Sequence, residues 1–170
     1  KVKNTDLQLV IDITFPNLDD ILSFCDNCKK IFNDYPIYLM IKLPSVYVFK
    51  HVPYSIHKYF IRISKRITNL TNKIFPIIIN NDPSYNNVNI KPTSIHEIYK
   101  QMPNLVAVVE SSKNIDQISD ILNLCDIKVF SSNDSMIIPA LSLGCSGIFS
   151  DFSNYCPQAM IILKSYCLDS

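Results

Sequence analysis

Leu105-Val-Ala-Val-Val-Glu-Ser-Ser-Lys-Asn114 is the stretch on which the fold turns. Residues 105–109 form one continuous apolar run, the signature of a strand buried in a parallel sheet. Asn114 then caps a helix that carries Ile115, Ile118, Ile121, Leu122 and Cys125 at helical spacing. The same unit recurs outward in both directions. Toward the N-terminus, Pro76-Ile-Ile-Ile79 is a strand with a polar loop, residues 80–87, after it, and Ser94-Ile-His-Glu97 has capping-box spacing at a helix start. Residues 37–41 form another strand. Pro53 opens a segment whose Ile56, Tyr59, Phe60, Ile63 and Ile67 make one apolar stripe. Residues 7–13 read as a buried strand. Asn17 follows as the cap of a helix with Asp19 and Asp20 in its first turn and Lys29 and Lys30 near its end, an order that suits the macrodipole. Toward the C-terminus, residues 128–130 are a strand, Asp134 starts a helix through Leu143, Gly147-Ile-Phe149 is a last strand and Pro157 begins a final helix.

Short apolar strands alternating with amphipathic helices predict an α/β fold, a parallel sheet covered on its outer face. About six such units are present, fewer than the eight of a closed (β/α) barrel. Two architectures fit that count, a doubly wound α/β domain and a barrel lacking units. The 170 residues suit one domain, and 48% hydrophobic against 18% charged residues exclude a disordered chain. Sixteen basic and fifteen acidic residues leave a net charge of +1, so no general basic field for nucleic acid exists. No apolar run approaches the roughly 20 residues that span a bilayer, and Lys1-Val-Lys-Asn4 lacks the apolar core of a secretory signal. A cytoplasmic protein without nucleic-acid or membrane partners is expected. The first residue is Lys rather than Met, which suggests an excised or incomplete product.

Little else in the chain suggests a site. Cys25 and Cys28 form the one C-x-x-C among six cysteines, and they fall inside a helical pattern without a second pair at zinc spacing. The pair reads as small apolar thiols on a helix face. His51 and His57 are six residues apart and share no helix face, and His96 falls on the exposed side of a short helix. Asn69-Leu-Thr71 and Asn133-Asp-Ser135 match the glycosylation sequon, which carries little weight without secretion. With two glycines there is no Gly-rich phosphate loop, and neither a metal nor a cofactor is expected. Asn tolerates left-handed backbone better than most residues, so it can occupy turns where Gly would otherwise stand.

Four blocks carry a family likeness. They are Phe75-Pro-Ile-Ile-Ile-Asn-Asn-Asp-Pro-Ser84, Pro103-Asn-Leu-Val-Ala-Val-Val-Glu-Ser-Ser112, Phe130-Ser-Ser-Asn-Asp-Ser-Met-Ile-Ile-Pro-Ala-Leu-Ser-Leu-Gly144 and Gly147-Ile-Phe-Ser-Asp-Phe-Ser-Asn-Tyr-Cys-Pro157. In this order and spacing they resemble the dihydrodipicolinate synthase family of pyruvate-dependent class I aldolases, to which N-acetylneuraminate lyase is related. The likeness is specific from about residue 75 to 160 and loose before it. It implies a (β/α)8 TIM barrel with a small C-terminal helical region, commonly a tetramer. Residues 7–13 would then be the third strand and 147–149 the eighth. On this expectation residues 1–170 are a partial TIM-barrel domain that lacks the first two βα units and the C-terminal helices.

The resemblance also implies a chemistry, and here the residues depart from it. Family members attack the keto group of pyruvate with a strand-borne lysine, in a motif resembling V-x-K-E-[AS]-[ST], and the resulting iminium is the electron sink for carbon–carbon bond formation. The matching stretch is Val106-Ala-Val-Val-Glu-Ser-Ser112, which puts Val109 at the lysine position. The family's proton-relay tyrosine, in Y-N-x-P-x-R-T-G, corresponds to Asn80, whose amide is a poor proton shuttle. Its carboxylate-binding arginine corresponds to Tyr85 and its glycine to Asn87, while Asn81 and Pro83 are kept. A Pro-Tyr-Tyr at the end of the fourth strand aligns with Pro44-Ser-Val46. Gly147, Phe149 and Asn81 remain as remnants of the pyruvate pocket, and Asn154 and Pro157 read as fold-keeping residues. Lys113 and Lys128 are poor replacements for the nucleophile. Lys113 is at the start of the following helix, and Lys128 is at the far end of its strand.

The resulting expectation is a dihydrodipicolinate synthase-like protein without Schiff-base activity. Its ancestor would have condensed pyruvate with aspartate semialdehyde for diaminopimelate and lysine synthesis. Two alternatives stand beside it. One is a non-catalytic subunit, in a homo-oligomer or paired with an active paralogue. The other is a pyruvate-dependent lyase with a displaced lysine.

Overall fold

The computed structural model describes residues 8–28, 37–45 and 53–168. Six strands run β1 (Leu9–Asp12), β2 (Ile37–Lys42), β3 (Ile77–Asn81), β4 (Leu105–Glu110), β5 (Lys128–Ser131) and β6 (Gly147–Ile148). The helices are α1 (Leu18–Asn27), α2 (Pro53–Thr71), the single turn α3 (Pro83–Asn86), α4 (Pro92–Gln101), α5 (Ile115–Leu124), α6 (Ile137–Ser142) and α7 (Pro157–Leu168).

Strand order separates the two architectures left open by periodicity. A doubly wound sheet reverses direction at a switch point and carries helices on both faces. Here the strands lie in chain order from β1 to β6, and every neighbouring pair is parallel. Right-handed crossovers that never reverse place each helix on the same side, so the sheet curls as part of a TIM barrel. Successive helices pack along that outer side, α1 on α2, α2 on α4 and α4 on α5.

Two apolar layers result. The large one lies between sheet and helices: Leu39, Ile41, Ile77, Ile79 and Val108 meet Ile21, Phe60, Ile63, Ile67 and Ile118, all nearly or fully buried. A smaller one lines the concave face, where Ile78, Ala107 and Val109 are buried and Tyr38, Met40, Phe130 and Phe149 are half-covered. β2 alternates strictly between the two, with Ile37, Leu39 and Ile41 buried and Tyr38, Met40 and Lys42 half-buried.

Several expectations need correction. Residues 9–12 are not a buried strand: Leu9 and Asp12, on opposite faces, are exposed and Val10 and Ile11 half-buried, because among the described residues β1 is an edge paired on one side only. β3 runs two residues further than its apolar run, since Asn80 and Asn81 are buried strand residues and not loop. Ser94 does not cap α4. Pro92 occupies the first turn, where its missing N–H costs nothing, and Ser94 is buried inside the helix. Cys28 ends α1 at its C-cap and is not inside it. His96 is half-buried, with Nδ1 3.8 Å from the Cys125 Sγ, rather than exposed. Leu7, Lys29, Lys30, Val46 and His51 lie outside the described residues. Other capping expectations hold: Asn17 accepts from the Asp20 N–H, and Asn114 from those of Asp116 and Gln117.

Candidate active site

In a parallel (β/α) sheet the C-terminal strand ends and the loops after them build the functional face. Strand register puts one row of inward side chains just below that face. Lys42 is opposite Asn80, Asn80 opposite Val109, Val109 opposite Phe130 and Phe130 opposite Gly147. The expected lysine and tyrosine positions, Val109 and Asn80, are thus neighbours on adjacent strands.

Above the row opens a cavity of about 320 Å³, lined by Met40, Lys42, Asn80, Asp82, Val109, Ser111, Ser132, Phe149, Ser150 and Asp151. Its polar wall is a chain of neutral groups. The Ser111 hydroxyl donates to Asn80 Oδ1 (3.1 Å) and is itself hydrogen-bonded to the Ser132 hydroxyl. Asn80 Nδ2 points at the Met40 Sδ, 3.9 Å away. Two hydroxyls and an amide bind by hydrogen bonding, but an amide cannot accept and return a proton as a phenol can. Val109 is fully buried and contributes only methyl groups.

Among the described residues, Lys42 is the one lysine lining this cavity. Its Nζ lies 3.6 Å from Asp82 and 3.9 Å from Asp12, and 5.1 Å from the centre of the Tyr85 ring. Those three partners hold its Nζ at the cavity edge. The sequence offered no signal for this residue beyond a charged side chain closing an apolar strand.

The remaining expected positions divide. Phe149 lines the cavity and packs edge-on against Phe130, ring centres 5.4 Å apart. Gly147 sits below it: a Cβ there would meet the Phe130 ring at 3.1 Å, so the glycine makes room for an aromatic ring and does not reach the cavity. Tyr85 is 47% exposed outside the wall. Asn87 has φ 58, the left-handed backbone that glycine would take in its place, and its N–H closes α3 on the Pro83 carbonyl.

Asn81 faces the opposite way from Asn80 and anchors a buried network. Its Nδ2 donates to both oxygens of Glu110 (3.0 and 3.2 Å) and to Asn89 Oδ1 (2.8 Å), and its Oδ1 accepts from the Ile90 N–H (2.9 Å). Glu110, 2% exposed, also accepts from Gln117 Nε2 (2.8 Å) and the Ser112 N–H (2.7 Å). This network pins the loops after β3 and β4 under the cavity floor. Beside it the Cys145 thiol is pushed up to about 11, first by burial and then by the Glu110 charge.

Neither alternative lysine is placed for chemistry. Lys113 is exposed with φ 64 in the loop before Asn114. Lys128 starts β5 and lines a separate cavity of about 450 Å³ at the other end of the sheet, with Val10, Tyr38, Ile78 and Phe130. Among the described residues no three His, Cys, Asp or Glu side chains gather at metal-holding distance, and no helix is long and apolar enough to cross a membrane.

Comparison with known proteins follows the same residues. A sequence model of the Dihydrodipicolinate synthetase family matches residues 46–167. The 4-hydroxy-tetrahydrodipicolinate synthase of Methanococcus aeolicus is 36% identical over 91 residues, 54% of this chain and 32% of that protein. A dihydrodipicolinate synthase crystal structure superposes with a TM-score of 0.83 at 22% identity, covering 99% of this chain and 55% of the other. YagE, a prophage protein of E. coli K12 solved in complex with pyruvate, superposes at 0.80 with 15% identity, covering 97% of this chain and 53% of its own. The chain therefore spans about half the length of the structures it resembles, and its alignment covers a third of the curated relative.

Proposed function

Because the chain belongs to the Dihydrodipicolinate synthetase family, we propose that it is a member that has lost the Schiff-base step: a lyase-type barrel, cytoplasmic, that no longer activates pyruvate. One observation carries the reading. The strand position at which family members present a lysine is Val109, fully buried beneath the cavity. Iminium formation needs a neutral amine that can reach the keto carbon, and a valine supplies none. The supporting observation is opposite it. Asn80, in register with Val109, ends a chain of hydroxyls and an amide that cannot relay the protons of imine formation. With Tyr85 turned outward, the cavity also lacks the family's cationic anchor for a second carboxylate.

A second reading, a pyruvate-dependent lyase with a displaced lysine, draws support from Lys42 and not from Lys113 or Lys128. Lys42 lines the cavity two strands from Val109, but its Nζ is drawn toward Asp12 and Asp82, 3.9 and 3.6 Å away. The test is a condensation assay with pyruvate and aspartate semialdehyde on the natively expressed protein. No turnover above buffer, beside an active synthase, is the expected result. Turnover abolished by Lys42→Met would establish the displaced lysine instead.

A further inference from the structure

The outer face of α2 carries a charge pattern unlike the rest of the chain. Lys58, Arg62, Lys65 and Arg66 recur at helical spacing and span about 12 Å of one face. The helix contains no Asp or Glu, although the whole chain is nearly neutral at +1. Arg62, Lys65 and Arg66 are exposed, and among the described residues none of the three forms an ion pair. Unpaired like charges along one helix repel, so the helix gains stability from any anion that bridges them.

These side chains border a groove rather than a flat surface. A cavity of about 550 Å³ lies along them, with His57 and Gln101 in its wall. It adjoins a second cavity, of about 240 Å³, through shared residues including Ile61 and Lys65, and this part is faced by Ile74, Met102 and Pro103. One end is cationic and the other apolar. An independent polar observation falls at the cationic end: His57 Nε2 is buried without a hydrogen-bond partner among the described residues. That nitrogen is closed off from solvent, so the contacts an anion can make in the groove are those of the exposed arginines and Lys65.

We infer that the α2–α4 groove binds an organic phosphate, its phosphate group held by Arg62 and Arg66 and its apolar body lying toward Ile74 and Met102. Guanidinium groups match phosphate oxygens in pairs, which is why two arginines one turn apart suit this anion. Nucleic acid fits less well. The cationic stretch is confined to a few turns, and among the described residues no Phe, Tyr or Trp lines the groove for base stacking. The site lies on the outer helix layer, and its occupancy does not depend on the chemistry at Val109.

The experiment is a titration of the native protein with 1-naphthyl phosphate at physiological salt, followed by calorimetry and amide chemical shifts. Saturable binding that perturbs residues near His57 and Arg62 is expected, with 1-naphthol and pyrophosphate each about tenfold weaker or worse. Arg62→Gln with Arg66→Gln alters only exposed side chains, and it should weaken the phosphate by about tenfold or more while leaving naphthol unchanged. Three results overturn the inference. Naphthol binding as tightly as its phosphate would leave an apolar groove only. Displacement by sulfate at equal ionic strength would leave an adventitious ion only. Displacement by a single-stranded oligonucleotide at lower concentration would make the face a nucleic-acid surface.

Discussion

Replacing Asn81 by Leu separates two adjacent asparagines that are chemically identical and structurally opposite. The change keeps the branched shape and heavy-atom count but removes the donor to both Glu110 oxygens and the acceptor for the Ile90 N–H, all in a region 1–2% exposed. A lost hydrogen bond to a charged group costs about 1.5–3 kcal/mol, and an orphaned buried N–H a further 1–3. Allowing for the apolar gain of the leucine, the net loss is about 2–5 kcal/mol. With a urea m-value of about 2 kcal/mol/M, the middle of the usual range, the unfolding midpoint falls by roughly 1–2.5 M. Asn80→Leu, one residue away, loses one neutral bond from Ser111, about 1 kcal/mol. The assay is urea unfolding followed by circular dichroism on both variants. In the double variant with Glu110→Met, the two costs should fail to add by about 1 kcal/mol or more, because one network carries both. A midpoint for Asn81→Leu no lower than that for Asn80→Leu would refute the claim that this network holds the site's floor.

Three further outcomes follow from the geometry. Burial, reinforced by Cys28, pushes the Cys25 thiol up to about 11, and burial with Glu110 does the same for Cys145. Iodoacetamide should therefore label exposed Cys156 first and these two last, read by peptide mass. The same two thiols link stability to alkaline pH. Their folded pKa values lie above the unfolded 9.0, so their contribution is complete below pH 9 and is lost as pH rises from about 9 to about 11, on the order of 2 kcal/mol each, measurable as a falling urea midpoint. At Asn87, with φ 58, Asn87→Gly should be neutral or slightly stabilising and Asn87→Val should cost about 1–2 kcal/mol, checked by thermal unfolding.

Much of the architecture was legible because most strands are built on apolar runs and two helices announce their caps, at Asn17 and Asn114. What periodicity left open was whether the strands kept chain order, since that depends on crossovers between distant segments. Strand ends misled where polar residues are buried: Asn80 and Asn81 look like loop, yet their partners lie 29 to 31 residues away at Glu110 and Ser111. At the site, Val109 and Asn80 were identifiable by motif and do stand side by side. Asn81 and Gly147 were kept at their motif places, but one anchors the network beneath the cavity and the other accommodates the Phe130 ring. Lys42 was invisible, because one lysine at a strand end forms no pattern until Asp12, Asp82 and Tyr85 gather around it. The α2 groove did have a sequence signal, four cations on one face without an acidic residue on the helix, which a whole-chain charge of +1 concealed.

The most direct test of the central claim is the intact mass of the natively expressed protein after incubation with pyruvate and borohydride. An amine that forms an iminium with pyruvate is locked by reduction into a stable adduct, whatever its rate of turnover. The protein should emerge unmodified under conditions that label an active synthase completely. A stoichiometric pyruvate adduct would contradict the account, and its location by peptide mapping, at Lys42 or elsewhere, would identify the amine responsible.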